Sequence, residues 1–155
     1  YLVQRANRHD ADRVIVGEVL GDEIVPMLNA MTAGKAGSMC TIHADSTEGT
    51  FGKIKTYASQ SPKHLSDDAA AQLTAQALDL VIFVRKRPDA SGLARRYVSS
   101  VRVVEDADGP HVISTEIFAE PEGGGPAVLH LGMPPGLRER LADVGYVAPI
   151  HGFGQ

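Results

Sequence analysis

Several features that would assign a function class directly are missing from this chain of 155 residues. Its single cysteine, Cys40, cannot form an internal disulfide, which fits a reducing compartment. No apolar run approaches the roughly 20 residues that a membrane-spanning helix needs. The formal net charge is −4 and the pI about 5.8, so the chain lacks the basic excess typical of proteins that bind duplex DNA. The histidines are scattered without the spacing of metal ligands.

A complete phosphate-binding loop is also missing from the sequence. The pattern G-x-x-x-x-G-K-[ST], whose backbone amides cradle nucleotide phosphates, occurs nowhere in the chain. Gly52-Lys53 resembles its end, but Ile54 follows where the pattern needs Ser or Thr. The sequence therefore predicts no self-contained nucleotide site of this type.

What is present indicates a layered α/β domain. Apolar runs at 14–19, 39–43 and 80–84 predict strands, and amphipathic segments between them predict helices. The first run is continuous and rich in β-branched residues, which predicts a strand buried on both faces of a parallel sheet. A later pair of strands is predicted to form a β-hairpin around Asp108-Gly109.

Capping residues mark the starts of two helices. Asp45 as the cap, with Glu48 reaching back, predicts a capping box before the helix that follows the second strand. Ser66 is predicted to cap the next helix, whose apolar side would carry Ala69 and Leu73.

Three segments are predicted along the chain. Residues 1–119 hold the alternating strands and helices together with the hairpin. Residues 120–126 (EPEGGGP) predict a flexible linker, and residues 127–155 predict a tail with one short helix near Pro135 to Val144.

Two ionisable residues are expected at one edge of the sheet. Glu18 ends the first predicted strand and His43 ends the second, and ligands of open α/β sheets bind beyond the carboxyl ends of strands. A carboxylate there can hold a metal-bound water or orient an attacking water, and an imidazole can donate to a phosphate oxygen. The alternatives are a buried acid paired with Arg5 or Arg13, and a histidine bonded to backbone.

Glu18 and His43 each lie within a longer motif. Val14 to Glu18 (VIVGE) resembles the modified Walker B strand of the type II/type IV secretion and pilus-assembly ATPases, and Gly37 to Ser46 (GSMCTIHADS) resembles their histidine box. The separation of the two motifs and the intervening NAMTAG segment are also similar to this family, most closely to its CpaF-like, tight-adherence branch. The resemblance is strong from Arg5 to Asp79 and weaker as far as Phe118.

Two departures from the family pattern are visible. Many relatives have an arginine two residues after the glutamate, where this chain has Leu20, and an asparagine where it has Asp45. The first departure leaves open whether a charge network around Glu18 is complete.

The resemblance implies the C-terminal half of a RecA-like P-loop ATPase core, mostly a parallel sheet with flanking helices plus a C-terminal β-hairpin. It implies ATP and Mg²⁺ as cofactors, with Glu18 contacting Mg²⁺ through water and His43 sensing the γ-phosphate. Gly17 and Thr41 would lie in the ATP and Mg²⁺ surroundings. The family's Walker A loop and Asp box are expected upstream of Tyr1, so the chain by itself should bind ATP very weakly.

The resemblance also implies partners and a location. The expected assembly is a homo-hexamer on the cytoplasmic face of the inner membrane, acting on a membrane platform protein and not on nucleic acid. Two alternatives stay open. The chain could be a truncated, non-catalytic module that keeps the fold and an oligomer interface. It could also belong to a RecA-like DNA motor, although its acidic pI and histidine box count against that.

Overall fold

The computed structural model describes residues 2–6, 11–34, 37–88 and 91–147. The helices are α1 (Leu2–Ala6), α2 (Ile24–Thr32), α3 (Gly49–Gln60), α4 (Asp67–Ala77) and α5 (Pro135–Asp143). The strands are β1 (Ile15–Val19), β2 (Met39–Ile42), β3 (Leu80–Pro88), β4 (Ala94–Asp108), β5 (His111–Ala119) and β6 (Val128–Leu129). Within these described stretches, none of the helices is long and apolar enough to cross a bilayer.

The strands of the described residues form two sheets, and the mixed α/β class predicted from the sequence is confirmed. β1 pairs with β2 in parallel, whereas β3, β4, β5 and β6 form an antiparallel sheet in that order. The predicted hairpin is confirmed as β4 and β5, joined at 109–110. A mostly parallel sheet is wrong for the described residues. Residues 89–93 are too few for the crossover that a parallel pairing of β3 with β4 would need. These two strands therefore pair in antiparallel orientation.

The main core lies between the helices and one face of β1 and β2. Val19, Leu28 and Ile54 are among its fully buried members, and Val16, Cys40 and Ile42 pack against it. Burial of one such aliphatic side chain stabilises the fold by about 1.5–3 kcal/mol. These contacts hold the two parallel strands, and therefore their carboxyl ends, in a fixed position.

The burial predicted for both faces of the first strand is wrong for the described residues. Ile15 and Met39 are register partners on β1 and β2, and their side chains are 68% and 56% exposed. Helices of the described part pack on the inner face of this strand pair, so the apolar residues of the outer face remain in contact with solvent.

The start of α3 differs from the predicted capping box. The helix begins at Gly49, so Glu48 is the residue before its first turn and not the third residue within it. Ser46 Oγ, not Asp45, accepts the Gly49 N–H at 2.9 Å. The cap predicted for α4 is confirmed, because Ser66 Oγ accepts the Ala69 N–H at 3.3 Å.

The buried face of α4 is turned relative to the predicted one. Ala70, Ala71 and Thr74 are buried, whereas Ala69 is exposed and Leu73 is half-buried. α4 packs against α2 and α3 and also against β4 and β5. Small residues face this two-sided contact because helix and sheet approach closely there.

The segment 120–126, predicted as a flexible linker, is fixed to the antiparallel sheet at its first residue. The Glu120 carboxylate accepts the Tyr97 hydroxyl at 2.9 Å and the Gly125 N–H at 3.2 Å. The chain then turns through Gly124 and Gly125, both at positive φ, and β6 pairs with β5. α5 follows, and its Arg140 contacts Asp79 before β3.

Candidate active site

An extra residue in β1 decides where Glu18 points. Val16 lies opposite Cys40 and Val19 opposite Ile42, so Gly17 and Glu18 together face the single residue Thr41. This is a β-bulge, which shifts the alternation of side chains by one position. Without it, the inward positions of β1 would continue to residue 18. With it, Val19 is fully buried and the Glu18 side chain is 40% exposed.

Thr41 and Gly17 are bonded across this bulge. The Thr41 hydroxyl donates to the Gly17 carbonyl at 2.5 Å, and both residues are exposed. A second cross-strand bond lies at the start of the pair, where the Val14 N–H donates to Ser38 Oγ at 3.0 Å. The two positions expected near a nucleotide therefore hold the strand geometry that presents Glu18.

Glu18 and His43 are in contact at the carboxyl ends of the parallel strands. His43 follows the last residue of β2, and its Nε2 lies 2.6 Å from Glu18 Oε1. At this distance the imidazole N–H donates to the carboxylate, and protonation of the ring would add an ion pair. The His43 side chain is 87% exposed, so both groups are open to a ligand. The Glu18 side chain is thus not buried as the alternative interpretation required, and its ion-pair partner in the described part of the chain is His43.

Glu23 is a site-forming residue that the sequence reasoning missed. Its Oε1 accepts the N–H groups of Leu20 and Gly21 at 2.5 and 3.2 Å, which fixes the turn directly after Glu18. The Leu20 N–H, more than any other cause, holds the pKa of Glu23 below its usual value. A signal was available, because an acid within a Gly-Asp-Glu turn before an apolar helix is well placed to bind free backbone amides.

The side chains of the described residues allow a magnesium ion to be held through water, but not by a site made of protein ligands alone. In the described part of the chain, no group of three or more His, Cys, Asp or Glu side chains is placed to hold a metal ion. Mg²⁺ usually keeps several waters and binds one or two carboxylates together with substrate phosphates. Glu18 fits that role. Cys40 is a poor candidate for chemistry, because burial raises the pKa of its thiol.

Comparison with known proteins identifies the family. The family model described as Type II/IV secretion system protein matches residues 1–107. The chain belongs to this family. The match covers both strands of the parallel pair and therefore the Glu18 and His43 site.

Relatives and a solved structure agree with this membership. The chain is 25% identical over 122 residues to a probable conjugal transfer protein TrbB from Sinorhizobium fredii, covering 77% of this chain and 34% of that protein. It is 30% identical over 108 residues to a putative conjugal transfer protein from Mycobacterium tuberculosis, covering 70% and 29%. The VirB11 ATPase of the Brucella suis type IV secretion system, crystallised with sulphate, aligns with a TM-score of 0.57 at 25% identity, covering 64% and 30%. The chain thus spans about a third of the length of these proteins.

Proposed function

We propose that this chain is the C-terminal catalytic segment of an ATPase that drives protein export or pilus assembly. The observation that carries the proposal is the 2.6 Å contact between Glu18 Oε1 and His43 Nε2 at the carboxyl ends of β1 and β2. In a member of the secretion family, an exposed acid and imidazole at this edge are suited to the hydrolysis of a nucleoside triphosphate.

The two side chains have separate roles in this proposal. The Glu18 carboxylate orients the attacking water and accepts a proton from it. His43 donates its Nε2–H to Glu18 in the structure, and its exposed ring can turn to give the same hydrogen bond to a phosphate oxygen. Bound Mg²⁺ would neutralise charge on the phosphates, with Glu18 reaching it through water. Gly17 and Thr41 keep the bulge that aims the carboxylate.

The remaining parts of the ATPase are inferred from family membership and from the similarity to VirB11. We infer that the ATPase has a RecA-like core whose phosphate loop lies in a part of the longer protein outside this chain. It further includes a homo-hexamer on the cytoplasmic face of the membrane that moves a platform protein. Assignment to the CpaF-like branch, and the division into 1–119, 120–126 and 127–155, rest on the sequence patterns.

The test is a substitution in the longer protein that contains this chain. Glu18→Gln should lower ATP turnover by about a hundredfold or more while ATP binding is retained, because it removes the general base and keeps the shape. Glu48→Gln, at an exposed glutamate before α3, is the matched control and should turn over ATP normally. Equal hydrolysis rates for Glu18→Gln and the unsubstituted protein would reject the proposed role.

A second candidate function is a non-catalytic module that keeps the fold and an oligomer interface. The absence of a phosphate-loop pattern from these 155 residues favours it. The coding sequence upstream of Tyr1 distinguishes the two candidates. An in-frame G-x-x-x-x-G-K-[ST] supports the ATPase, and unrelated sequence or a stop codon supports the module.

A further inference from the structure

Thr47 joins the segment that carries His43 to the antiparallel sheet. It follows His43 by four residues, in the turn between β2 and α3, and its side chain is only 2% exposed. Its hydroxyl lies 3.0 Å from the hydroxyl of Ser100 on β4, which is also buried. A buried hydroxyl pair between a loop and a distant strand helps to fix the loop in place, because breaking it leaves the Thr47 hydroxyl proton and a Ser100 lone pair without a partner.

The hydrogen bonds around Thr47 and Ser100 run in one direction. Ser100 donates its one proton to the Glu116 carboxylate on β5, so the Thr47 hydroxyl must be the donor to Ser100. Thr47 in turn accepts from Arg102 Nε at 3.4 Å. Arg102 and Glu116 are register partners on β4 and β5, and Arg102 also donates to Ser114. The chain of bonds therefore begins at a cation and ends at a neighbouring anion.

This polar cluster, made of Thr47, Ser100, Arg102 and Glu116, fixes one end of the His43 segment. The other end is fixed by the pairing of β2 with β1. Between these two ends lie His43 and three further residues, one of which, Ser46, caps α3. The position of the imidazole is therefore set jointly by the parallel pair and by the antiparallel sheet.

We infer that Thr47 is a positioning residue that holds His43 against Glu18 and couples the catalytic edge to the antiparallel sheet. The inference rests on the function proposed above and adds residues beyond its two motifs. A shift of His43 toward a second acceptor would pull on Thr47 and, through Ser100, on β4. Thr47 and Ser100 are buried and Arg102 and Glu116 are half-buried, and a hydrogen-bonded polar network of this kind rigidifies the elements that it joins.

The first test uses the 155-residue chain and three variants. Thr47→Val removes the hydroxyl and keeps the shape, and Thr47→Ser keeps the hydroxyl. Thr56→Val, at an exposed α3 threonine whose hydroxyl donates within its own helix to Gly52, is the control. Thr47→Val should speed amide hydrogen exchange at residues 44–50 by about tenfold. It should also weaken the nuclear Overhauser contact between the His43 ring and Glu18.

Thr47→Ser should restore both signals, and the control should leave them unchanged. Unchanged exchange and an unchanged His43 contact in Thr47→Val would overturn the inference. Global unfolding of Thr47→Val would instead raise exchange throughout the chain. Thr47→Ser distinguishes this outcome from a local effect of the lost hydroxyl, because it keeps the hydrogen bond in a smaller side chain.

The second test measures turnover in the longer protein. Thr47→Val should lower kcat by about tenfold with little change in KM for ATP, because it displaces His43 and leaves the phosphate cradle intact. Thr47→Ser should rescue kcat, and unchanged kcat in Thr47→Val would overturn the coupling. If Glu18→Gln leaves turnover unchanged, the proposed function fails, and the exchange measurement still decides whether Thr47 holds His43.

Discussion

Val16 and Val19 both face the core, although they lie three positions apart in one strand. A regular strand presents alternate residues to one face, so this spacing requires the extra residue at Gly17-Glu18. The bulge explains how an acid can sit within an apolar run without being buried. It moves the side chain at position 18 to solvent and brings the next apolar side chain into the core.

The bulge predicts opposite responses at two adjacent positions. Val19→Glu should destabilise the chain by several kcal/mol or unfold it, because it buries an unpaired carboxylate. Glu18→Val should change the free energy of unfolding by about 0.5 kcal/mol or less, because the site is solvent-exposed. Urea denaturation of both variants checks this. The reverse order of stabilities would mean that residue 18 and not residue 19 faces the core.

The interactions of Glu120 predict how the stability of the chain changes at acidic pH. The pKa of Glu120 lies below its usual value, chiefly because its carboxylate accepts the Tyr97 hydroxyl. The Gly125 N–H and the guanidinium groups of Arg85 and Arg87 lower this pKa further. Because the folded-state pKa is depressed, the stabilisation is present above the unfolded pKa and is lost as pH falls through the folded pKa.

Glu120→Gln should therefore lose less stability than the unsubstituted chain between pH 7 and pH 3. Urea midpoints at the two pH values measure this difference, and Glu122→Gln, at an exposed glutamate of the same segment, is the control. Equal losses in the Glu120 variant and the unsubstituted chain would show that the hydrogen bonds and ion pairs of Glu120 do not contribute to stability.

Nucleotide affinity should be very weak in the 155-residue chain. In the proposed function this chain supplies Glu18 and His43, whereas its sequence contains no phosphate-loop pattern, and it is the backbone amides and lysine of such a loop that hold the phosphates. Isothermal titration calorimetry with Mg-ATP at micromolar concentrations should record no binding heat. A dissociation constant in the micromolar range would mean that residues of this chain alone form a phosphate cradle.

Features that depend on local pattern could be read from the sequence. Ser66 marked the start of α4, and the turn at Asp108-Gly109 marked the hairpin. The shared edge of Glu18 and His43 followed from the rule that parallel strands end together, and the structure brings the two side chains into contact.

Features that depend on register or on distant partners could not be predicted. The run from Val14 to Val19 does not reveal which residue is unpaired, because the bulge is defined only against Cys40 and Ile42 of the other strand. β3 reads as an ordinary strand, and only its pairing with β4 makes the second sheet antiparallel. Thr47 is unremarkable until the fold places Ser100 beside it.

The most direct test of the central claim is a double-mutant cycle on Glu18 and His43 in the longer protein. Glu18→Gln and His43→Ala should each lower kcat for ATP hydrolysis, because in the proposed function each group acts on the same phosphoryl transfer. If the two groups act as one unit, the double variant should be little slower than the slower single variant. Unchanged kcat in either single variant, or losses that multiply fully in the double variant, would contradict the account.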